Sequence, residues 1–264
     1  MSLIGIRNVS KSFEGTGLVV PPLDLSIPAG QFISFLGPSG CGKSTLLRLI
    51  AGLETPDTGL IEGVSGLKVS FVFQDAMLLP WRTALENVRL PLELENTAKD
   101  DIDKRAREAL KRVGLQDAFD RKPSQLSGGM KMRVSLARAL VTNPLILLLD
   151  EPFAALDEIT RFRLQEDLLR FWKGSAAQSG SIASPMTVIF VTHSMSEAAF
   201  LAERQIVFSN RPARVIADRQ STLESARAVD RGRQTRQSIE FLNDVSALQD
   251  LFRETGSDQP VASL

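Results

Sequence analysis

The chain has 264 residues with 31 Lys and Arg balanced by 31 Asp and Glu, enough for one large or two modest domains with a sizeable core. Zero net charge leaves no whole-chain footprint for nucleic acid or an anionic membrane. The single cysteine, Cys41, excludes an internal disulfide framework, and the opening "MSLIGIRNVSKSF" lacks the charged-then-apolar order of a secretory leader, so a reducing cytosol is the expected setting.

The first strong element is the apolar run at 31–36, which reads as a buried strand because it is short, nearly all apolar and ends in glycine. Directly after it, "GPSGCGKST" at 37–45 fits G-x-x-x-x-G-K-[ST] and opens the helical stretch "STLLRLIAG". Strand, glycine loop and helix in that order form a phosphate cradle. Gly37, Gly40 and Gly42 let backbone N–H groups converge on phosphate oxygens, Lys43 bridges the β and γ phosphates, Ser44 offers a hydroxyl to Mg²⁺, and Thr45 is a further donor. Pro38, Ser39 and Cys41 complete the loop. Cys41 reads as a spectator, since a nucleophilic thiol needs an activating base and nothing assigns it one.

Residues 88 to 125 contain no buried-strand run and read as a helical subdomain inserted into an α/β core. Within it, "DIDKRAREALKRVG" gathers Ile102, Ala106, Ala109, Leu110 and Val113 on one face, with Gly114 as the stop. In "QLSGGMKMRVSLARAL", 125–140, Ser127, Gly128 and Gly129 precede helical periodicity, so this turn offers a second anion-binding helix start. The run at 145–149 is another buried strand, and it delivers Asp150 and Glu151 at the end where α/β proteins bind ligands. Asp150 suits a Mg²⁺ shell and Glu151 suits polarising a water. Small polar residues at 174–185 predict a surface loop. A third buried strand, 187–192, runs into His193, the one histidine in the chain. The tail carries Arg211, Arg214, Arg219, Arg227, Arg231, Arg233 and Arg236 interleaved with Asp218, Glu224 and Asp230, which predicts a solvated helical face. The apolar runs are all far shorter than the ~20 residues of a membrane helix, so any spanning is done by another chain.

Taken together, these motifs resemble the nucleotide-binding subunit of ATP-binding cassette (ABC) transporters over roughly residues 3–215. "GPSGCGKST" is similar to the Walker A motif, "LSGGM" to the family signature, "LILLLDE" to Walker B with its catalytic glutamate, and "ALD" at 155–157 to the D-loop ending in Asp157. "FVFQD" supplies Gln74 as the Q-loop glutamine and "VTHS" supplies His193 as the switch histidine.

The resemblance implies a P-loop NTPase core of ABC type, α/β, with an antiparallel β subdomain and the inserted helical subdomain at about 88–125. The cassette would span 1–215, with 216–264 a C-terminal helical extension. It also implies an ATPase using ATP and Mg²⁺, with Lys43, Gln74, Glu151 and His193 catalytic and Ser44, Gln74 and Asp150 around the metal. Phe13 would stack on adenine where tyrosine is common, and Met130 stands where many relatives carry glutamine. Ser127, Gly128 and Gly129 would reach the nucleotide of a second copy in a homodimer, and Asp157 would be a further nucleotide-binding residue. Leu78, Leu79 and Trp81 would be available to the cytoplasmic helix of an integral membrane permease.

"LLPWRTALENV" and "DEPFAALDEITR" look most like the ATPases of nitrate, sulfonate and taurine importers, with thiamine-precursor importers similar. That implies a peripheral protein on the cytoplasmic face of the inner membrane, served indirectly by a periplasmic or extracellular solute-binding protein and with no nucleic-acid partner. A soluble cassette acting on DNA or ribosomes is the alternative; it calls for a long coiled coil or two cassettes in one chain, and neither pattern is present. A GTPase-like or kinase-like enzyme would leave the signature turn and His193 without roles.

Overall fold

A computed structural model describes residues 2–95, 98–178, 185–223 and 230–254. They form two units: Met1–Leu67 with Trp172–Leu264, and Lys68–Phe171.

In the first unit, β1 (Ser2–Phe13) and β2 (Gly17–Pro28) pair antiparallel, and β1 also pairs with a later strand, Thr58–Glu62. Along β2, Leu23, Leu25 and Ile27 are buried while Pro22, Asp24 and Ser26 are exposed, the period-two pattern of a strand with one face in a core. The next strand, β3 (Phe32–Leu36), has every residue buried. After α1 (Lys43–Ile50) and β4 (the Thr58–Glu62 strand), the chain enters the second unit.

There β5 (Val69–Val72) lies parallel to β6 (Ile146–Asp150). Between them come α2 (Ala84–Leu94), α3 (Lys99–Arg112) and α4 (Gly128–Leu140). The three helices share one core, built from residues such as Leu85, Val88, Leu92, Ala106, Leu110, Leu126, Val134 and Ala137. Each buried Leu or Val contributes roughly 1.5–3 kcal/mol, which is why the amphipathic stripe of α3 is helical despite its charge. Gly114 stops α3 at φ +69°, its N–H on Lys111 O at 2.9 Å. The helical core reaches from Ala84 to Val141, because the signature helix α4 supplies one of its walls.

Helix α5 (Glu158–Gln178) carries the chain back to the first unit. It continues through the first part of the predicted 174–185 loop, and 179–184 lie outside the described residues. There β7 (Thr187–Thr192), fully buried, pairs in parallel with β3; β8 (Arg204–Phe208) pairs with β3 on its other side, and β9 (Val215–Gln220) runs antiparallel to β8. Phe32 meets Trp172 edge-on at 5.6 Å and Phe35 meets Phe208 at 5.4 Å. The Trp172 indole donates to Met186 O at 2.9 Å, so its one polar atom is satisfied.

The tail departs from the expected solvated helical face. Residue 215 begins β9, and the described helix of the tail is α7 (Ile239–Glu254), after α6 (Met195–Leu201). On α7 the buried carboxylate of Asp244 receives Gln205 Nε2 at 2.6 Å, Arg219 Nη2 at 2.7 Å, and Ser221 and Thr222 hydroxyls at 3.1 and 3.2 Å. Arg231 is buried, donates to Phe200 O at 2.7 Å, and is pulled down to about 10 by that burial. The Arg236 guanidinium lies 3.4 Å from the Phe200 ring centroid. These arginines anchor the tail to its unit; Arg227 and Glu224 lie outside the described residues.

Candidate functional site

The predicted site residues fall on both units, and each set has its own local geometry. In the first unit β3 ends at Leu36 and the chain turns through Gly37–Gly42 into α1. Gly40 sits at φ +74° and Gly42 at φ +127°, conformations a side chain resists. A Cβ on Gly37 would come within 2.9 Å of Phe208 O, so this glycine allows the loop to leave its strand against β8. Lys43 is 3% exposed, and its ammonium donates to Gly37 O at 2.8 Å and Pro38 O at 2.7 Å. It curls the loop around itself, with Ser44 and Thr45 following on the first turn of α1.

That arrangement fits a polyphosphate. A glycine turn with two positive-φ positions, a helix start and a buried ammonium form a cationic concavity. Cys41 is 1% exposed, with its sulfur 3.8 Å from Lys43 Nζ, so it packs as a small apolar residue beneath the loop. Phe13, at the end of β1, is 37% exposed with the Lys11 ammonium 5.3 Å from its ring centroid.

His193 is half-buried at the junction of β7 and α6. Its flanks are locked. Ser194 caps α6 by accepting from Glu197 N at 3.3 Å, and Thr192 Oγ1 donates to the buried Glu197 carboxylate at 2.6 Å while accepting from Ser194 N at 3.0 Å. The sequence signal for Glu197 is an acid three residues after a capping serine.

In the second unit, Gln74 is exposed in the loop after β5. Asp150 is buried at the end of β6, and Glu151 follows it at φ +43°. Among the described residues four non-glycines have positive φ: Asn8, Asn143, Met77 and Glu151. Asparagine adopts that region readily, whereas Met and Glu are held there by their surroundings. Ser127 is the N-cap of α4, its hydroxyl accepting from Met130 N at 3.3 Å. A Cβ on Gly129 would stand 2.7 Å from Thr160 Cγ2, so this glycine permits the signature turn to abut the start of α5. Asp157 accepts there from Thr160 N at 2.9 Å, and that N–H, then the Thr160 hydroxyl, hold its carboxyl below the usual carboxylate range.

Met130 packs against the helical core, which accounts locally for an apolar residue after the signature glycines. Leu78 does the same, so of the residues expected to be available to a partner it is Trp81, 68% exposed, that faces outward, joined by Met77 at 63%. Among the described residues no three His, Cys, Asp or Glu gather into a metal cage. Ser44 stands on the first unit, and Gln74 and Asp150 on the second. No helix of the described residues is long and apolar enough to cross a membrane.

Comparison with known proteins points to one family. The profile described as "ABC transporter" matches residues 20–154. The aliphatic sulfonates import ATP-binding protein SsuB of Zymomonas mobilis is 44% identical over 234 residues, covering 86% of this chain and 90% of that protein. The taurine import ATP-binding protein TauB of Pseudomonas aeruginosa is 42% identical, covering 82% of each. The bicarbonate transport ATP-binding protein CmpD of Synechocystis is 42% identical, covering 80% of this chain and 76% of its own. Among solved structures, the dimeric post-hydrolysis state of the ATP-binding cassette MJ0796 bound to ADP and Pi superposes with a TM-score of 0.70 at 34% identity, covering 82% of this chain and 98% of that one. With its phosphate loop, its capped signature turn and these relatives, the chain belongs to the ABC transporter family and is an ATP-binding cassette ATPase.

Proposed function

We propose that this chain is the ATP-hydrolysing subunit of an importer that takes up a small organic or inorganic anion through separate membrane subunits. The observation that carries the reading is the loop wrapped around Lys43, whose ammonium is held on two carbonyls that a phosphate can replace. The import and transport roles named for the sulfonate, taurine and bicarbonate relatives support the solute class.

In this reading Lys43 and the N–H groups of Gly40–Thr45 bind the β and γ phosphates, and Phe13 stacks on the adenine. Ser44, Gln74 and Asp150 would hold Mg²⁺, which when bound neutralises charge on the phosphate oxygens. Glu151 orients and deprotonates the attacking water, and His193 contacts the γ-phosphate. Ser127, Gly128 and Gly129 act on the nucleotide of a second copy, with Asp157 a further nucleotide-binding residue, so closure of the homodimer follows ATP occupancy. The cassette is residues 1–215, its helical subdomain extending beyond the expected 88–125 to the core of Ala84–Val141, and 216–264 is an extension that begins within β9. It works at the cytoplasmic face of the membrane, docked on permease subunits through Trp81 and its neighbours, with a solute-binding protein delivering cargo.

Glu151→Gln tests the chemistry. It should keep ATP binding, abolish turnover and give a dimer at saturating MgATP by light scattering; a monomer would refute the shared-nucleotide arrangement. Mild-detergent purification from native cells tests the role. A multi-span membrane protein accompanied by a solute-binding protein is the expected result, and ribosomal or nucleic-acid partners would overturn it.

A further inference from the structure

The loop that follows Gln74 is gripped by its main chain from two helices of its own unit. Arg138, in the last turn of α4, donates from Nη1 to Met77 O at 2.8 Å and from Nη2 to Ala76 O at 2.9 Å. Asn87, fully buried on α2, accepts from Leu79 N at 2.8 Å and donates to the carbonyls of Leu79, Arg82 and Thr83 at 3.2, 3.2 and 2.9 Å. Held by Arg138 through its own carbonyl, Met77 stands at φ +45° and is 63% exposed. An exposed Met gains nothing from that conformation by packing, so the strain persists because the backbone on either side is over-determined. Leu78 is turned into the helical core, and Trp81 projects outward.

We propose that Arg138 is a positioning residue whose planar guanidinium ties the loop 76–82 to α4, so that the exposed platform of Met77 and Trp81 and the Ser127–Gly129 turn move as one body. The two ends of the connection are the two ends of one helix. Ser127 caps α4, and Arg138 lies about eleven residues on, roughly 16 Å along a rigid rod. A partner that displaces the platform meets two charge-assisted hydrogen bonds before the loop can yield, and therefore carries α4 with it. Burial lowers the guanidinium's proton affinity, yet an arginine stays charged at neutral pH, so the grip is permanent. A lysine could reach one carbonyl but could not fork across both. The proposal deepens the importer reading and rests on it, since that reading supplies the partner on the platform.

The test compares Glu151→Gln with its Arg138→Ala and Arg138→Lys double variants, using amide hydrogen exchange read by mass spectrometry and light scattering. Without nucleotide, Arg138→Ala should speed exchange in 76–82 at least tenfold, Arg138→Lys less, with 128–140 unchanged. With MgATP, the parent should dimerise and change its exchange both at 127–131 and at 76–82. In the Arg138→Ala variant the dimer and the 127–131 response should remain while the 76–82 response disappears. Unchanged exchange at 76–82, a rise spread through all of α4, or an ATP response at 76–82 that survives Arg138→Ala would each overturn the proposal. Failure of the parent to dimerise would overturn the shared-nucleotide arrangement and the transmission with it, whereas the nucleotide-free comparison would still decide whether Arg138 holds the loop.

Discussion

Two glycines of the phosphate loop, two residues apart, should respond very differently to alanine. Gly40 is at φ +74° with no heavy atom within 4 Å of a built Cβ. Gly40→Ala therefore meets only the left-handed backbone penalty of about 1–2 kcal/mol, partly offset by the stiffer unfolded chain. Gly42 is at φ +127°, and its Cβ would lie 2.9 Å from Val19 O, 3.0 Å from Val19 Cγ1 and 3.0 Å from Ala213 Cβ. None of those atoms is free to retreat, because Val19 O accepts the Ala213 N–H at 3.0 Å and Val19 is buried on β2.

Backbone strain of roughly 1–3 kcal/mol and overpacking of roughly 1–3 kcal/mol add to about 2–6 kcal/mol for Gly42→Ala. At about 2–4 °C per kcal/mol for a domain of this size, nucleotide-free Tm by circular dichroism should fall by about 4–24 °C, against at most about 2–8 °C for Gly40→Ala. A Gly40 variant as damaged as the Gly42 variant, or a Gly42 variant of wild-type stability, would refute the steric argument. Ala213→Gly placed on Gly42→Ala should recover part of the loss, since it removes one of the three contacts.

The signature turn offers a similar test with a built-in rescue. Gly129→Ala should cost about 1–3 kcal/mol because its Cβ meets Thr160 Cγ2 at 2.7 Å, and Thr160→Ser, which deletes that methyl, should restore most of it in denaturant melts. Persistence of the full loss in the double variant would refute the contact. Cys41, the one thiol of the chain and 1% exposed, should react with a neutral thiol reagent only as the loop opens, more slowly still with MgATP; stoichiometric labelling of the native protein within seconds would contradict its burial. Thr83 and Glu86 form a capping box at the start of α2, with Glu86 N on Thr83 Oγ1 at 3.2 Å and Thr83 N on Glu86 Oε2 at 2.7 Å. Thr83→Ala should cost about 1 kcal/mol. The Thr83 N–H, then its hydroxyl, lower the Glu86 carboxyl from its ordinary 4.5. Its folded value lies below its unfolded one, so its stabilisation is complete above 4.5 and is lost as pH falls through the folded value. The deficit of Glu86→Gln should close over that window, and a pH-independent deficit would refute it.

The phosphate loop, the acidic pair Asp150 and Glu151 at the end of β6 and the three buried strands were legible because each is local. A glycine pattern between a strand and a helix, or an apolar run that ends in two carboxylates, specifies its conformation within a dozen residues. The sequence by itself likewise determined the amphipathic face of α3 and its stop at Gly114, since helical period and capping act over one or two turns. What only the tertiary structure decided are the pairings made across long separations. Nothing near Arg138 in "VSLARAL" says that its guanidinium will find the carbonyls of residues 76 and 77, some sixty positions earlier. Nothing in the tail says that Asp244 will collect Gln205, Arg219, Ser221 and Thr222. The arginine-rich stretch reads as solvated because exposure is the default for charge. It takes buried partners supplied by other elements, such as Phe200 O for Arg231 and the Asp244 carboxylate for Arg219, to reverse that default. The strained backbone of Met77 and Glu151 has the same origin: a positive φ at such residues is imposed by the packed fold around them.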